Sequence, residues 1–315
     1  MLFEHTDKTA DMEKQLTKEI LKKVRQIEVR TRRLVDDTMA GSYHSVFKGR
    51  GMNFDEVREY VPGDEIRTID WNVTARTGVP HVKKFTEERE LTILLMIDVS
   101  DSGLFGSGHQ SKRELMAELG SVLAFSAVRN NDKVGLILFS NFVELYIPPK
   151  KGRSHILRVI REILFFQPRG RGTDIGEALD FVNRVTKRKC VTFLISDFCL
   201  PGDFSDSLAA LGPKLQITGR RHDLITISVT DPREHGLPDV GWITLEDAET
   251  GEQILLNTKD PWTRNAYANL ADDQREQFRK TVRSKGIDLL ELSTDSSFVS
   301  PLIGFFRLRK RRLAR

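Results

Sequence analysis

Two stretches limit the folds open to this chain more than any other feature: residues 91–98, LTILLMID, and residues 190–197, CVTFLISD. Each is a nearly unbroken apolar run of strand length that ends on an aspartate. A strand with one wet face alternates apolar and polar side chains. A run without alternation therefore predicts a strand covered on both faces, as in the centre of a parallel sheet. Apolar spacing predicts helices over 112–129, 152–166, 174–186, 205–218, 263–283 and 298–312, and further strands over 133–140, 142–148, 223–231 and 287–293. Residues 242–256 read as a hairpin turning at Thr250-Gly251. Segments 133–140 and 142–148 are joined too tightly for a crossover, which predicts an antiparallel pair at the sheet edge. Strands alternating with helices over this length predict an α/β fold: a doubly wound, mostly parallel sheet with one antiparallel edge strand.

The part before residue 91 has a different texture. Within 1–40, Leu16, Ile20, Val24, Ile27 and Leu34 form a narrow apolar stripe, which predicts a helical extension that docks onto the rest. Residues 41–90 are broken by Gly49, Gly51, Pro62-Gly63 and Gly78-Val79-Pro80 and predict a small β-rich segment of turns and short strands. Arg alternates there with Asp and Glu from Arg50 to Arg76, which reads as internally paired turns, with a partner-contact surface as the alternative. Trp71 and Tyr60 read as core anchors. The α/β domain then occupies 91–315.

A hydrophobic content of 39% against 30% charged residues excludes disorder throughout. The first 20 residues carry Glu4, Asp7, Asp11 and Glu13 and contain no apolar leader, and the apolar runs elsewhere are strand-sized, so neither a signal peptide nor a transmembrane segment is expected. Cys190 and Cys199 form no metal or disulfide pattern, which favours a reducing, cytoplasmic setting. The net charge of +4 comes from the tail: Arg307, Arg309, Lys310, Arg311, Arg312 and Arg315 are six of the 49 basic residues, leaving 43 against 45 acidic ones. A near-neutral body argues against a specific nucleic-acid partner. The tail reads as a packed last helix with a solvated basic end; peripheral membrane or RNA contact through it is the alternative.

In open α/β sheets, ligands bind beyond the carboxyl ends of the strands. Asp98, Ser100 and Ser102 follow the first central run at every second position, Thr173 follows Gly170-Arg171-Gly172 at the start of a helix, and Asp197 ends the second run. Two carboxylates and three hydroxyls make an all-oxygen donor set, suited to a hard divalent cation and unsuited to zinc or copper. Magnesium is favoured, because it keeps several waters and needs few protein ligands; manganese and calcium are the substitutes. The competing reading has these residues capping helices and closing turns. Gly106-Ser107-Gly108 reads as a flexible loop nearby, and the seven dispersed histidines as surface or capping residues.

The order and spacing of Asp98, Ser100, Ser102, Thr173 and Asp197 resemble the metal-ion-dependent adhesion site of von Willebrand factor A-type domains. Residues 172–179, GTDIGEAL, are similar to that family's segment around its threonine. A second resemblance covers nearly the whole chain. GRGMNFDEVREY at 49–60, PGDEIRTIDW at 62–71, Thr74-Ala75-Arg76, Lys84-Phe85 and EERE at 87–90 are similar to a bacterial family called domain of unknown function 58. That resemblance implies a von Willebrand A-like fold and a partnership with a MoxR-type AAA+ ATPase in assembling or activating other proteins. Many members carry paired N-terminal membrane helices, which this sequence lacks, and many have eroded metal ligands, whereas all five positions are filled here.

The resemblance implies a binding module rather than an enzyme. On that reading Asp98 and Asp197 would anchor the ion directly or through water, Ser100 and Ser102 would orient it, and Thr173 would enter or leave its shell. An acidic side chain of a protein partner, the ATPase or its client, would fill the open position. The rival class is a magnesium-dependent hydrolase of phosphate esters at the same site. It lacks support from any GxxxxGK[ST], GxSxG or HExxH motif in the sequence.

Overall fold

The structure, a computed structural model, describes residues 53–86, 90–247 and 251–313. The helix expected within 1–40 lies outside the described residues, as do 49–52 and 87–89 of the family-like signature. The described chain opens with an antiparallel ribbon of β1 (Asn53–Glu59) and β2 (His81–Thr86), with helix α1 (Trp71–Thr77) between them. Gly63, at a φ of 111° that suits only glycine, shapes the turn after β1. Arg58 grips Asp64 with two bonds of 2.7 and 2.8 Å, and Asp70 caps α1 through the Asn72 and Val73 amides while pairing with Lys83 at 3.2 Å. Arg58 with Asp64 and Asp70 with Lys83 are thus paired within the segment. Trp71 departs from expectation: it is 67% exposed, because α1 buries none of its residues and offers no core to enter. Tyr60 is half-buried.

The main body alternates strand and helix: β3 (Thr92–Asp98), α2 (Lys112–Arg129), β4 (Lys133–Phe139), β5 (Val143–Lys150), α3 (Arg153–Phe165), α4 (Ile175–Val185), β6 (Val191–Ser196), α5 (Phe204–Arg221) and β7 (Asp223–Thr230). The one-turn α6 (Pro232–His235), a separate hairpin of β8 (Trp242–Glu246) and β9 (Gln253–Asn257), α7 (Pro261–Ser284), β10 (Asp288–Ser293) and α8 (Val299–Leu313) complete it. Six strands form one sheet in the order β10-β7-β6-β3-β4-β5, parallel except for β5, which pairs antiparallel with β4 at the edge. The fold is therefore the doubly wound, mostly parallel α/β sheet that the apolar runs predicted.

Successive residues of β3 serve opposite cores. Ile93, Leu95 and Ile97 pack with side chains of α2, α3 and α8, whereas Leu94 and Met96 pack with those of α4, α5 and α7. Both faces of the strand are thus dry, which is why its sequence shows no alternation. Helix α2 is buried almost all round, from Leu115 to Ala127, and starts with a capping box of Ser111 and Glu114. Helix α8 packs through Leu302, Ile303, Phe305 and Phe306, with Phe298 just before it, but its basic end is not wholly solvated. Arg309 is buried and pairs with Asp223 and Asp288, because the amino ends of β7 and β10 place two carboxylates beneath it. His222, expected at the surface or as a cap, is the C-cap of α5 and lies buried, its Nδ1 3.4 Å from the Cys190 sulfur. Among the described residues no helix is long and apolar enough to cross a membrane.

Candidate functional site

The chain leaves β3 for β4 and β5 on one side, then returns to lay β6 along the other side of β3. Strand order reverses between β3 and β6, and the crevice of such a sheet opens at their carboxyl ends. Ile97 is in register with Ile195, so Asp98 and Ser196 finish their strands at the same level.

Asp98 is 1% exposed; its Oδ1 accepts the Ser100 N–H at 2.9 Å and its Oδ2 the Ser196 hydroxyl at 2.7 Å. The hydroxyls of Ser100 and Ser102, both buried, lie 3.0 Å apart. Thr173 is also buried, on a loop tied to the site by two main-chain bonds. The Asp101 N–H donates to Arg171 O at 3.1 Å, and the Asp174 N–H to Ser140 O at 2.9 Å. Asp197 follows β6 with its carboxylate 3% exposed, Oδ1 accepting the Cys199 N–H at 3.1 Å. Three of the five expected residues, Asp98, Ser100 and Ser102, thus share one hydrogen-bonded cluster, with Thr173 on an adjoining loop and Asp197 across the strand gap. Asp197 makes itself felt by charge: burial first, then this neighbouring carboxylate, pushes Asp98 up to about 7, against the hydrogen bonds from Ser196 and Ser100.

Two buried carboxylates that repel each other, ringed by hydroxyls, are a fitting donor set for a hard cation. Among the described residues no group of three or more His, Cys, Asp or Glu is placed to hold a metal. An ion at this site would therefore depend on the serine and threonine hydroxyls as well as on the two aspartates.

The sequence reading missed a second layer. Lys112, the first residue of α2, is 1% exposed and donates to Asp197 Oδ2 at 2.6 Å and to Glu234 Oε1. Burial pulls this ammonium down, but the charges of Asp197 and Glu234 outweigh it and hold it well above the ordinary lysine range. A weak signal was available: a lysine in the first turn of a helix opposes the macrodipole, and a nearby carboxylate offsets that. The 106–108 loop, expected to be flexible, is pinned instead. Ser107 donates its N–H and hydroxyl to Asp231 at 2.9 and 2.6 Å, and a Cβ at Gly106 would fall 2.6 Å from Gln110 O and Ser111 Cα.

Asp197 is followed by a strained residue. Phe198 has a φ of 56°, which costs a non-glycine residue about 1 kcal/mol. Two contacts hold it there: its N–H donates to Ser196 Oγ at 2.9 Å, and its buried ring lies 4.2 Å from that of Phe278 on α7. These rings border a cavity of about 370 Å³ together with Lys112, Asp197, Glu234 and Tyr267.

Gly170 shows how closely the threonine loop is fitted. Its N–H donates to Glu144 Oε1 at 2.7 Å, and a Cβ there would collide with the side chains of Ser140 and Asn141. Gly170→Ala is expected to destabilise the protein by about 2 kcal/mol through overpacking. Gly108→Ala, with open space around it, should shift stability by less than about 0.5 kcal/mol. Urea unfolding of the two variants checks both values.

The chain is similar to an uncharacterized protein of Mycobacterium tuberculosis, 31% identical over 290 residues that span 91% of this chain and 89% of the relative. Among solved structures, it is similar to an aerotolerance-related membrane protein from Bacteroides fragilis (16% identity, TM-score 0.48, covering 70% of this chain and 99% of that one). It is also similar to the SpRpn10 VWA domain (13% identity, TM-score 0.36, covering 68% and 94%). A family model matches residues 56–277, from the ribbon through five of the six strands of the sheet to α7, and by that match the chain belongs to the family described as Protein of unknown function DUF58.

Proposed function

We propose that this protein is a metal-dependent protein-interaction module rather than an enzyme. Asp98, Ser100, Ser102, Thr173 and Asp197 would hold Mg2+, or Mn2+ or Ca2+ in its place, and the bound ion would supply an electrophilic centre for an acidic side chain of a partner. The supporting observation is the buried cluster of Asp98, Ser100 and Ser102 at the reversal point of the sheet, with like-charged Asp98 and Asp197 on neighbouring strand ends. Asp98 is the anchor, since Ser196 and the Ser100 amide fix both of its oxygens in place. Ser100 and Ser102 would orient the ion, and Thr173 would enter or leave its shell. Membership of the DUF58 family and the chain's resemblance to adhesion-site domains support a MoxR-type AAA+ ATPase or its client as the partner. The free thiols Cys190 and Cys199 support a cytoplasmic setting.

Mn2+ titration of the purified chain tests the ion. Saturable binding that Asp98→Ala weakens by about a hundred-fold or more is expected, in line with the loss of a charged ligand. Mixing the chain with the ATPase in Mg2+ or chelator tests the partner. Equal affinity in both conditions, or an Asp98→Ala variant that binds Mn2+ like the parent, overturns the reading.

A further inference from the structure

Lys112 joins the proposed ion site to a carboxylate outside it. Its side chain is 2% exposed, and its ammonium group lies 2.6 Å from Asp197 while also bonding Glu234. Glu234 cannot follow the ammonium freely: its Oε2 accepts the Asp231 N–H at 2.9 Å, and Asp231 is fixed in turn by Ser107 and by Thr294, whose hydroxyl donates to it at 2.6 Å. The neighbouring cavity of about 370 Å³, which Lys112 and Glu234 both border, leaves the lysine stem room to move. Formal charges point the same way. Asp197 and Glu234 share the single ammonium of Lys112, so one cation does not neutralise both carboxylates.

We propose that Lys112 sets the divalent-ion affinity of this site by competing for the Asp197 carboxylate, and that it withdraws to Glu234 when an ion takes that carboxylate. The inference rests on the metal-dependent reading above. A positive charge at hydrogen-bond distance from a ligand oxygen opposes a second cation strongly where water is excluded. A displaced ammonium with no partner would be a buried bare charge, and Glu234 removes that cost. Lys112 is thus a positioning residue for the ion and Glu234 the station that lets it step aside. Without an ion, the pair keeps Asp197 neutralised and the crevice closed to weaker cations.

The test is calorimetric Mn2+ titration of the full chain at one pH and ionic strength, for the parent, Lys112→Met, Glu234→Gln and Arg171→Met. Arg171 is an exposed cation on the threonine loop, 3.9 Å from Asp101, and it reports the general effect of removing a nearby charge. Lys112→Met is expected to bind about ten-fold tighter, Glu234→Gln about three-fold weaker, and Arg171→Met within about two-fold of the parent. The rise in Tm on adding Mn2+ should be larger for Lys112→Met than for the parent. Binding by the parent with no gain in Lys112→Met, or an equal gain in Arg171→Met, overturns the role of Lys112 and leaves the ion site standing. No binding by either the parent or Lys112→Met removes the ion site, and this inference with it. Should Lys112→Met fail to fold without an ion, Glu234→Gln decides alone, and unchanged or tighter binding by that variant refutes the withdrawal.

Discussion

Arg309→Ala is expected to lower the free energy of unfolding by about 4 kcal/mol, the range found when one partner of a buried ion pair is removed. The guanidinium bonds Asp223 at the start of β7 and Asp288 at the start of β10, the latter at 2.6 Å, and so fastens α8 to two parallel strands. Its loss leaves two carboxylates facing the vacated space. Arg312, 2.8 Å from Asp288 but 64% exposed at its side chain, compensates only in part. Arg309→Met keeps much of the packed stem and should fall between parent and alanine variant. Arg311→Ala, at an exposed position of the same helix, should stay within about 0.5 kcal/mol of the parent. Equilibrium denaturation of the three variants measures this. An Arg309→Ala protein within about 1 kcal/mol of the parent would show that the bridge is energetically idle.

Asp231→Ala should cost about 3 kcal/mol, because it strips a buried acceptor from several donors at once. Ser107 N–H, Ser107 hydroxyl, Thr294 hydroxyl and Arg233 N–H all donate to this carboxylate, at 2.9, 2.6, 2.6 and 2.9 Å. Burial pushes its pKa up, but the bonds from Ser107 and Thr294 outweigh that and hold it at about 2, below the ordinary 3.8. The folded state therefore favours the ionised form. The stabilisation is complete above pH 3.8 and drains away as pH falls toward 2. Asp231→Asn should lose that part of the acid dependence, so its stability should fall less steeply than the parent's across this window. Parallel acid limbs for Asp231→Asn and the parent would contradict the assignment. The same substitutions free the 106–108 loop, so they should also raise amide exchange at Ser107.

How much of this was legible in the sequence depended on the range of the interaction. The two apolar runs gave β3 and β6 directly, because a strand buried on both faces writes its environment into consecutive residues. The ends of those runs located Asp98 and Asp197 for the same reason. The tight link between 139 and 143 revealed the antiparallel edge, since no crossover fits it. Lys112 stayed hidden because its partners lie 85 and 122 positions away, and nothing in local periodicity names the partner of a charge. Arg309 was obscured by its neighbours: in a run of basic residues, one buried guanidinium looks like the solvated ones. Trp71 misled in the opposite sense. A large aromatic ring is usually drawn into a core, but α1 supplies none, and only the three-dimensional setting reveals that.

The bend at Phe198 gives the carboxylate of Asp197 a remote lever. Left to itself, a phenylalanine would relax out of the left-handed region and swing the preceding aspartate with it. Packing against Phe278 opposes that recoil, so helix α7 helps to aim a side chain at the crevice. A mutation that shifts Phe278 would retune the turn through Phe198, whereas glycine at 198 would cut this linkage and leave the turn indifferent to whatever happens there.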